Sequence, residues 1–234
     1  MNRLFKTLKK KAAVAMVAAM AMGCLWAPPA RSGEMAVDLS ALIYETQKAS
    51  RAMEDVLLAW WVPQELWLMF LSQSQSVSEE EKQKYLEIMD PYMVFLVVDG
   101  TIGEDGRPHF QAREDVLNAL VLEDAAGNKY KTLRGTEISQ EAKDFLSRVF
   151  PSFARSLGPL GNNLYYAVFT SKNSKGEPIA NVFTEGAFVL HMAKRSFRWR
   201  TPLGALVPPK HCPITGEELN GGWKYNPWNG AKLD

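Results

Sequence analysis

The sequence predicts an α+β fold, in which amino-terminal helices pack on a mainly antiparallel sheet. Two patterns support this prediction. Apolar residues recur at three- and four-residue steps over residues 37–90, whereas the later apolar segments are mostly short strands separated by turns. A single helical segment lies among the strands, unlike the regular strand–helix alternation of a parallel sheet. The strand spacing also permits a sandwich, and a small ribbon-like hairpin is expected at the carboxyl end.

The first 27 residues differ from the rest of the chain and are typical of an export signal. Five Lys and Arg residues and no acidic residue lie in residues 1–23, and the apolar run that follows is too short for a membrane-spanning helix. The chain of 234 residues has a formal charge of +1, but without residues 1–23 it keeps 22 basic and 26 acidic residues, a net charge of −4. We therefore expect an exported, acidic protein of the bacterial envelope.

The sequence leaves open how this signal ends. Residues 21–24 (Ala-Met-Gly-Cys) resemble a lipobox, which would make Cys24 a site of lipid attachment, although Met departs from the usual small residue. Cleavage after Ala27 or Ala30 would instead release a free protein, and an uncleaved segment would anchor the chain. A disulfide between Cys24 and Cys212 is a further alternative. The protein is therefore expected either free in the periplasm or tethered to a membrane.

Three helices are predicted before Pro91, over residues 37–60, 64–72 and 79–90. Pro63 suits the first turn of the second helix, and Ser78 with Glu81 forms a capping box that opens the third. Residues 60–71 are the most apolar part of the exported chain. We expect them to form a helix–turn–helix elbow in the core, with a membrane-surface or partner-docking face as the alternative.

Short apolar segments follow Pro91. The predicted strands cover residues 92–98, 108–113, 116–122, 130–133, 164–171, 187–193 and 196–200. Residues 125–128 would turn one hairpin, and a helix capped by Ser139 is expected, with Pro151 interrupting or restarting it. The expected organisation is a signal at residues 1–27, an α+β domain at residues 36–200 and a tail at residues 211–234.

The tail contains an internal repeat. Residues 212–216 (CPITG) align with residues 226–230 (NPWNG) after a shift of fourteen positions. This spacing resembles a zinc ribbon with two Cys-Pro-x-Cys-Gly knuckles. The ligand positions would be Cys212, Thr215, Asn226 and Asn229. Because zinc needs four soft or borderline ligands and only one position is a thiol, we expect a degenerate ribbon without metal and without zinc-ribbon function.

Turn chemistry is expected to hold the tail in place of a metal. The side chain of Asn226 can accept backbone N–H groups that a thiolate would accept in a zinc knuckle. The apolar contacts of the tail are expected from Leu219, Trp223, Tyr225, Trp228 and Leu233. The basic amino terminus, the predicted long helix with its W-x-x-P-x-x-x-W step at residues 60–67 and the tail together resemble uncharacterised exported or lipoprotein-like bacterial proteins. This resemblance implies a shape and no activity.

The sequence shows no residue set typical of a catalytic site. It has no nucleophile elbow, phosphate loop, dinucleotide fingerprint or metalloprotease helix. His191 is expected as a satisfied residue on a strand, and His109 as an exposed hairpin residue, although a pair with Asp105 or Glu114 could act as a base. We predict a non-catalytic protein with no cofactor and no metal.

Aromatic and basic residues supply the candidate contacts. Arg198 and Arg200 alternate with Phe197 and Trp199, a composition also found in nucleic-acid surfaces, but an exported acidic protein is not expected to bind nucleic acid. The candidate partner or ligand contacts are Trp60, Trp61, Trp67, Arg198, Trp199, Arg200, Trp223 and Trp228. The predicted function is binding of an envelope protein partner. The alternatives are an envelope enzyme or accessory acting on cell-wall or carbohydrate material, and a small-ligand-binding protein.

Overall fold

Two four-stranded antiparallel sheets lie face to face in the computed structural model, which describes residues 37–72, 77–192 and 195–233. The helices are α1 (Leu39–Thr46), α2 (Gln64–Ser72), α3 (Glu79–Met89), α4 (Arg113–Ala119) and α5 (Gln140–Ser156). The first six strands are β1 (Gln47–Ala49), β2 (Leu58–Val62), β3 (Tyr92–Val98), β4 (Gly100–Ile102), β5 (Pro108–Phe110) and β6 (Val121–Glu123). The other six are β7 (Lys129–Lys131), β8 (Tyr165–Thr170), β9 (Gly186–Met192), β10 (Arg195–Thr201), β11 (Lys210–His211) and β12 (Glu218–Leu219). The α+β class is confirmed.

The two sheets form a sandwich. The first sheet has the order β1-β2-β3-β8, and the second has the order β10-β9-β6-β7. Aromatic side chains fill the space between them: the rings of Trp61 and Phe188 are 4.8 Å apart, and those of Phe95 and Trp199 are 5.5 Å apart. Because β3 is buried along nearly its whole length, it reads as a continuous apolar run and not as an alternating one.

Helices cover the other side of the first sheet. Side chains alternate along β2, so Trp61 faces the second sheet whereas Trp60 packs on Phe153 of α5 at 5.4 Å. Trp67 of α2 lies between Phe153 and Phe145, each at 5.5 Å. The resulting order of layers is helices, first sheet, second sheet.

Four of the predicted contact residues belong to this core. Trp60, Trp61, Trp67 and Trp199 are each at most 4% exposed. They are therefore not available as contacts on an exposed surface, and a role for Trp61 and Trp67 in ligand binding would require the cleft that they line. Large rings of this kind bury more apolar area than other side chains, and here they fill both interfaces of the first sheet.

The predicted helix over residues 37–60 was also wrong. α1 ends at Thr46, β1 follows directly, and residues 58–62 form β2. Gln47 pairs with Trp60 across the two strands. The apolar run around Trp60 can be buried on both sides as a strand between the helices and the second sheet, and periodicity alone does not distinguish that from a buried helix. The expected elbow is buried, but it is a strand–turn–helix.

Two further expectations were wrong in part. Residues 116–122 do not form one strand, because α4 extends to Ala119 and only β6 is extended. Pro151 does not break its helix: α5 continues through it, with Phe145, Leu146 and Phe153 buried on the core side. Burial of that apolar face compensates for the backbone hydrogen bond that a proline removes.

Local signals in the sequence were more reliable. Ser78 and Glu81 form the predicted capping box, and Ser139 caps α5 through a bond from the N–H of Ala142. Residues 124–128 turn the hairpin between β6 and β7 as expected, with Gly127 at positive φ. The predicted signal with Cys24 lies outside the described residues. No helix within the described ranges is long and apolar enough to cross a membrane.

Candidate functional site

The carboxyl-terminal tail folds as two turns that repeat the same backbone hydrogen bonds. The N–H of Gly216 donates to the carbonyl of Cys212, and the N–H of Gly230 donates to the carbonyl of Asn226, both over 2.8 Å. Both glycines have positive φ, at 70° and 74°, which side chains other than glycine rarely adopt. The fourteen-residue repeat of the sequence is therefore a repeat of structure.

The two turns meet at the thiol of Cys212. The side-chain amide of Asn229 donates to the Cys212 sulfur over 3.5 Å. Asn226 is buried, and its side-chain oxygen accepts the N–H of Trp228 over 2.9 Å, so the predicted turn chemistry is confirmed. Hydrogen bonds from Asn229 and Thr215 lower the pKa of Cys212 to about 6. The four ribbon positions thus converge on one thiol, and their amide and hydroxyl groups favour its ionised form.

The large aromatic side chains of the tail lie outside its small core. That core consists of Cys212, Leu219 and Leu233. Ile214 is 72% exposed, Trp228 69%, Tyr225 59% and Trp223 40%. The expected apolar contacts of the tail are therefore confirmed for Leu219 and Leu233 and wrong for the three aromatic rings. We call these four residues the tail surface.

The tail surface stands out against the rest of the molecule. It holds four of the nine large hydrophobic side chains that are exposed among the described residues, on a segment of about twenty residues. Trp223 and Trp228 contact each other edge to face, with ring centroids 6.1 Å apart. Ile214 and Trp228 occupy the same place in the two repeated turns. An exposed apolar concentration of this kind is typical of an interaction site.

Polar contacts hold the tail against the domain. Asn220 donates to Glu45 of α1 over 2.6 Å, and Lys224 pairs with Glu185, which directly precedes β9. Lys210 lies in β11, which pairs with β12 of the tail, and it donates to the carbonyl of Trp223 over 2.9 Å, so this bond fixes the tail internally. The tail surface is therefore presented on a fixed scaffold, which lowers the conformational entropy that a partner has to remove.

The outer side of the second sheet carries the predicted basic contacts. Arg198 and Arg200 of β10 are exposed, and Lys129 and Lys131 of β7 are exposed at the other edge of the sheet. Arg200 pairs with Ala187 across the ladder, so it lies at the end of the sheet where Glu185 holds the tail. Arg198, Arg200, Trp223 and Trp228 are the predicted contacts that remain accessible, and their role in binding stays a prediction.

A polar line on the same sheet was missed by the sequence analysis. The Ser196 hydroxyl lies 2.8 Å from Nδ1 of His191, whose Nε2 lies 3.0 Å from Glu123. Serine, histidine and glutamate are the residue types of a nucleophile, a base and an orienting carboxylate. However, the line lies across three adjacent strands on an open sheet face, and two cavities of about 510 and 310 Å³ in the described part of the chain do not include it. Because 68 residues separate His191 from Glu123, no local signal could reveal the cluster.

His109 and a cleft beside α2 bear on the enzyme alternative. His109 lies 3.2 Å from Asp105, and both are exposed on the β4–β5 hairpin, as expected. A cleft of about 310 Å³ is lined by Trp61, Trp67, Glu65 and Asp90, among others. Burial raises the pKa of Glu65. The cleft thus has tryptophan and carboxylate residues in its lining, which are common in small-ligand and carbohydrate sites, although both indoles are almost fully buried in its wall.

No comparison with known proteins adds to this geometry. A scan against protein-family models gave no match, and no similar chain was found among curated proteins or solved structures. Among the described residues, no group of three or more His, Cys, Asp or Glu side chains is placed to hold a metal ion.

Proposed function

We propose that the protein is a non-catalytic interaction protein of the bacterial cell envelope, which binds a protein partner through the tail surface. The single observation that carries this proposal is the exposure of Ile214, Trp223, Tyr225 and Trp228 on a segment that has its own filled core. These four side chains do not contribute to that core, which consists of Cys212, Leu219 and Leu233. Aromatic side chains that fit a partner's pockets commonly dominate binding energy at protein interfaces.

The tail surface would supply more than half of one side of a stable protein interface. Full burial of its exposed aromatic and aliphatic area would remove roughly 500 Å² from water, since one large ring can bury about 150–250 Å². A stable interface takes about 800 Å² from each partner. Arg198 and Arg200 lie at the adjoining end of the second sheet and would extend the contact, favouring a partner with acidic residues at the rim.

The envelope location is supported by the sequence alone. Five basic residues followed by an apolar run are typical of export, and Cys24 supplies a candidate lipid attachment site. Tethering would restrict the protein to the membrane surface, where the tail surface would meet envelope proteins at high local concentration.

The native mass of the full-length tagged chain, taken from its own cells, tests this proposal. We expect a discrete complex for the natural chain, loss of that complex when Ile214→Ser and Trp228→Ala are combined, and no change for Met53→Ala. Met53 is 94% exposed on the main domain and is a matched control. A complex that survives the double substitution, or a free monomer in every case, would contradict binding through the tail.

A second candidate function follows from the cleft at Glu65. Aromatic walls and a half-buried carboxylate with a raised pKa are features of small-ligand and carbohydrate sites. Phe183, 55% exposed, lies at this cleft and could stack on a sugar ring. Co-sedimentation with purified peptidoglycan that Glu65→Gln and Phe183→Ala both abolish would favour this function. Unchanged co-sedimentation in both variants would exclude the cleft.

A further inference from the structure

A positively charged cavity of about 510 Å³ opens between α4, residues 132–138, α5 and β8. Its volume lies within the range of about 300–1,000 Å³ that is usual for small-molecule sites. It is separate from the tail surface, which contributes none of its lining residues. The binding proposal above therefore does not depend on it.

The lining residues carry three cations and a single carboxylate. Arg113, Arg134 and Lys143 line the cavity together with Glu114. The chain beyond residue 23 is acidic overall, so this local excess of two positive charges does not reflect the composition of the protein. Clefts lined by charges of one sign concentrate ligands of the opposite sign.

The guanidinium groups are fixed in place. Arg134 donates to Glu114 over 2.8 Å, to Asn118 over 3.1 Å and to Thr132 over 3.1 Å. Arg113 donates to the other oxygen of Glu114 over 2.8 Å, and its guanidinium lies 5.8 Å from the ring centre of Tyr166. One carboxylate therefore orders two guanidiniums but neutralises only one of their charges.

Lys143 supplies the second uncompensated charge. It projects from α5 at the cavity, is half-buried, and has no ion-pair partner among the described residues. The remaining walls include the apolar side chains of Leu117, Ile138 and Val168. An anionic group would meet the cations, and an apolar body would meet these walls.

We propose that this cavity binds a small organic anion, with its phosphate or carboxylate group against Arg113, Arg134 and Lys143 and its apolar body against Leu117, Ile138 and Val168. The Glu114 carboxylate pre-orders the two guanidiniums, so the site exists before the ligand arrives. Arginine forks suit phosphate and carboxylate geometry equally, and the probes distinguish the two.

Calorimetric titration of the full chain with phenyl phosphate, benzoate and inorganic phosphate tests this site, with sodium chloride at matched ionic strength as the blank. We expect saturable binding of phenyl phosphate or benzoate, weaker binding of inorganic phosphate, and a loss of about tenfold or more in affinity on Lys143→Met. Lys131→Met, on the outer side of the second sheet, is the matched control and should bind as the natural chain does.

Three results would overturn the proposal. The first is no heat beyond the chloride blank with any probe. The second is an equal loss for Lys131→Met and Lys143→Met, which would show screening of general surface charge. The third is inorganic phosphate bound as tightly as phenyl phosphate, which would show that the apolar walls do not contribute to binding. Circular dichroism and thermal unfolding of both variants establish that each is folded.

Discussion

The indole N–H of Trp199 donates a hydrogen bond to the backbone carbonyl of Thr46 over 2.8 Å. The hydroxyl of the same threonine accepts the indole N–H of Trp60 over 3.2 Å and donates to the carbonyl of Leu42 over 2.8 Å. Trp60 lies in the first sheet and Trp199 in the second. One fully buried residue at the end of α1 therefore connects the helix to both sheets.

Replacing Thr46 by Val is expected to destabilise the domain by about 1–3 kcal/mol. The substitution keeps the shape of the side chain but leaves the indole N–H of Trp60 buried without an acceptor. Urea unfolding measures the effect. Thr46→Ser keeps the hydroxyl and should cost less than half as much, so equal losses for the two variants would show that packing and not the hydrogen bond is responsible.

The same residue shows why the fold was only partly predictable. The α+β class, the capping box at Ser78, the Ser139 cap and the hairpin turn follow from signals within a few residues of each other. The end of α1 does not, because it depends on the pairing of Gln47 with Trp60 and on Trp199, 153 residues away from Thr46. Residues 58–62 become a strand because two layers on opposite sides bury them.

Substitutions in the tail should separate stability from binding. Trp228→Ala is expected to change the free energy of unfolding by no more than about 0.5 kcal/mol, because the ring is largely exposed. Leu219→Ala removes a side chain from the small core of the tail and should loosen it while the main domain stays folded. Hydrogen exchange of residues 211–233 measures both. Strong deprotection by Trp228→Ala would mean that its ring has a structural role.

The thiol of Cys212 is expected to ionise with a midpoint near pH 6, as measured by thiolate absorbance in a Cys24→Ser background. Asn229→Asp keeps the oxygen that accepts the N–H of Ala231 but removes the amide donor to sulfur, so the pKa should rise towards the usual value of about 8.5. An unchanged midpoint in this variant would contradict the role given to Asn229.

The lowered pKa of Cys212 determines how the stability of the tail depends on pH. Because the pKa of Cys212 in the folded state lies below its unfolded value, the ionised thiol stabilises the tail fully above about pH 8.5. This contribution falls as the pH decreases and is lost below about pH 6. As the pH is lowered from about 8.5 to about 6, hydrogen exchange of the tail in the natural chain should therefore accelerate relative to that in Cys212→Ser. Both rates are first corrected for the intrinsic effect of pH on exchange. No difference between the two chains would contradict the linkage.

The line of Ser196, His191 and Glu123 is expected to be structural. Its groups have hydrogen-bond geometry suited to catalysis, but the hydroxyl lies on an open strand face outside both cavities. The natural chain and Ser196→Ala should hydrolyse p-nitrophenyl acetate at the same background rate. A burst of nitrophenolate that only the natural chain gives would show an activated nucleophile and would revive the enzyme alternative.

The candidate site was predictable in position but not in arrangement. The repeat of residues 212–216 and 226–230 located the tail and its turns. That the aromatic rings point outwards could not be inferred, because Cys212, Leu219 and Leu233 fill the small core only once the two turns meet. Likewise, nothing in the local sequence distinguishes the buried residues Trp60 and Trp199 from the exposed Trp228. Only the packing of the two sheets shows which tryptophans are buried.

Site-specific photo-crosslinking in living cells tests the central proposal most directly. A photoreactive amino acid at position 228 of the full chain should give a discrete adduct with one envelope protein, whereas the same group at position 53, on the exposed side of the main domain, should not. Ile214→Ser in the first chain should weaken the adduct. Identical products from both positions, or no protein adduct at position 228, would contradict binding through the tail surface.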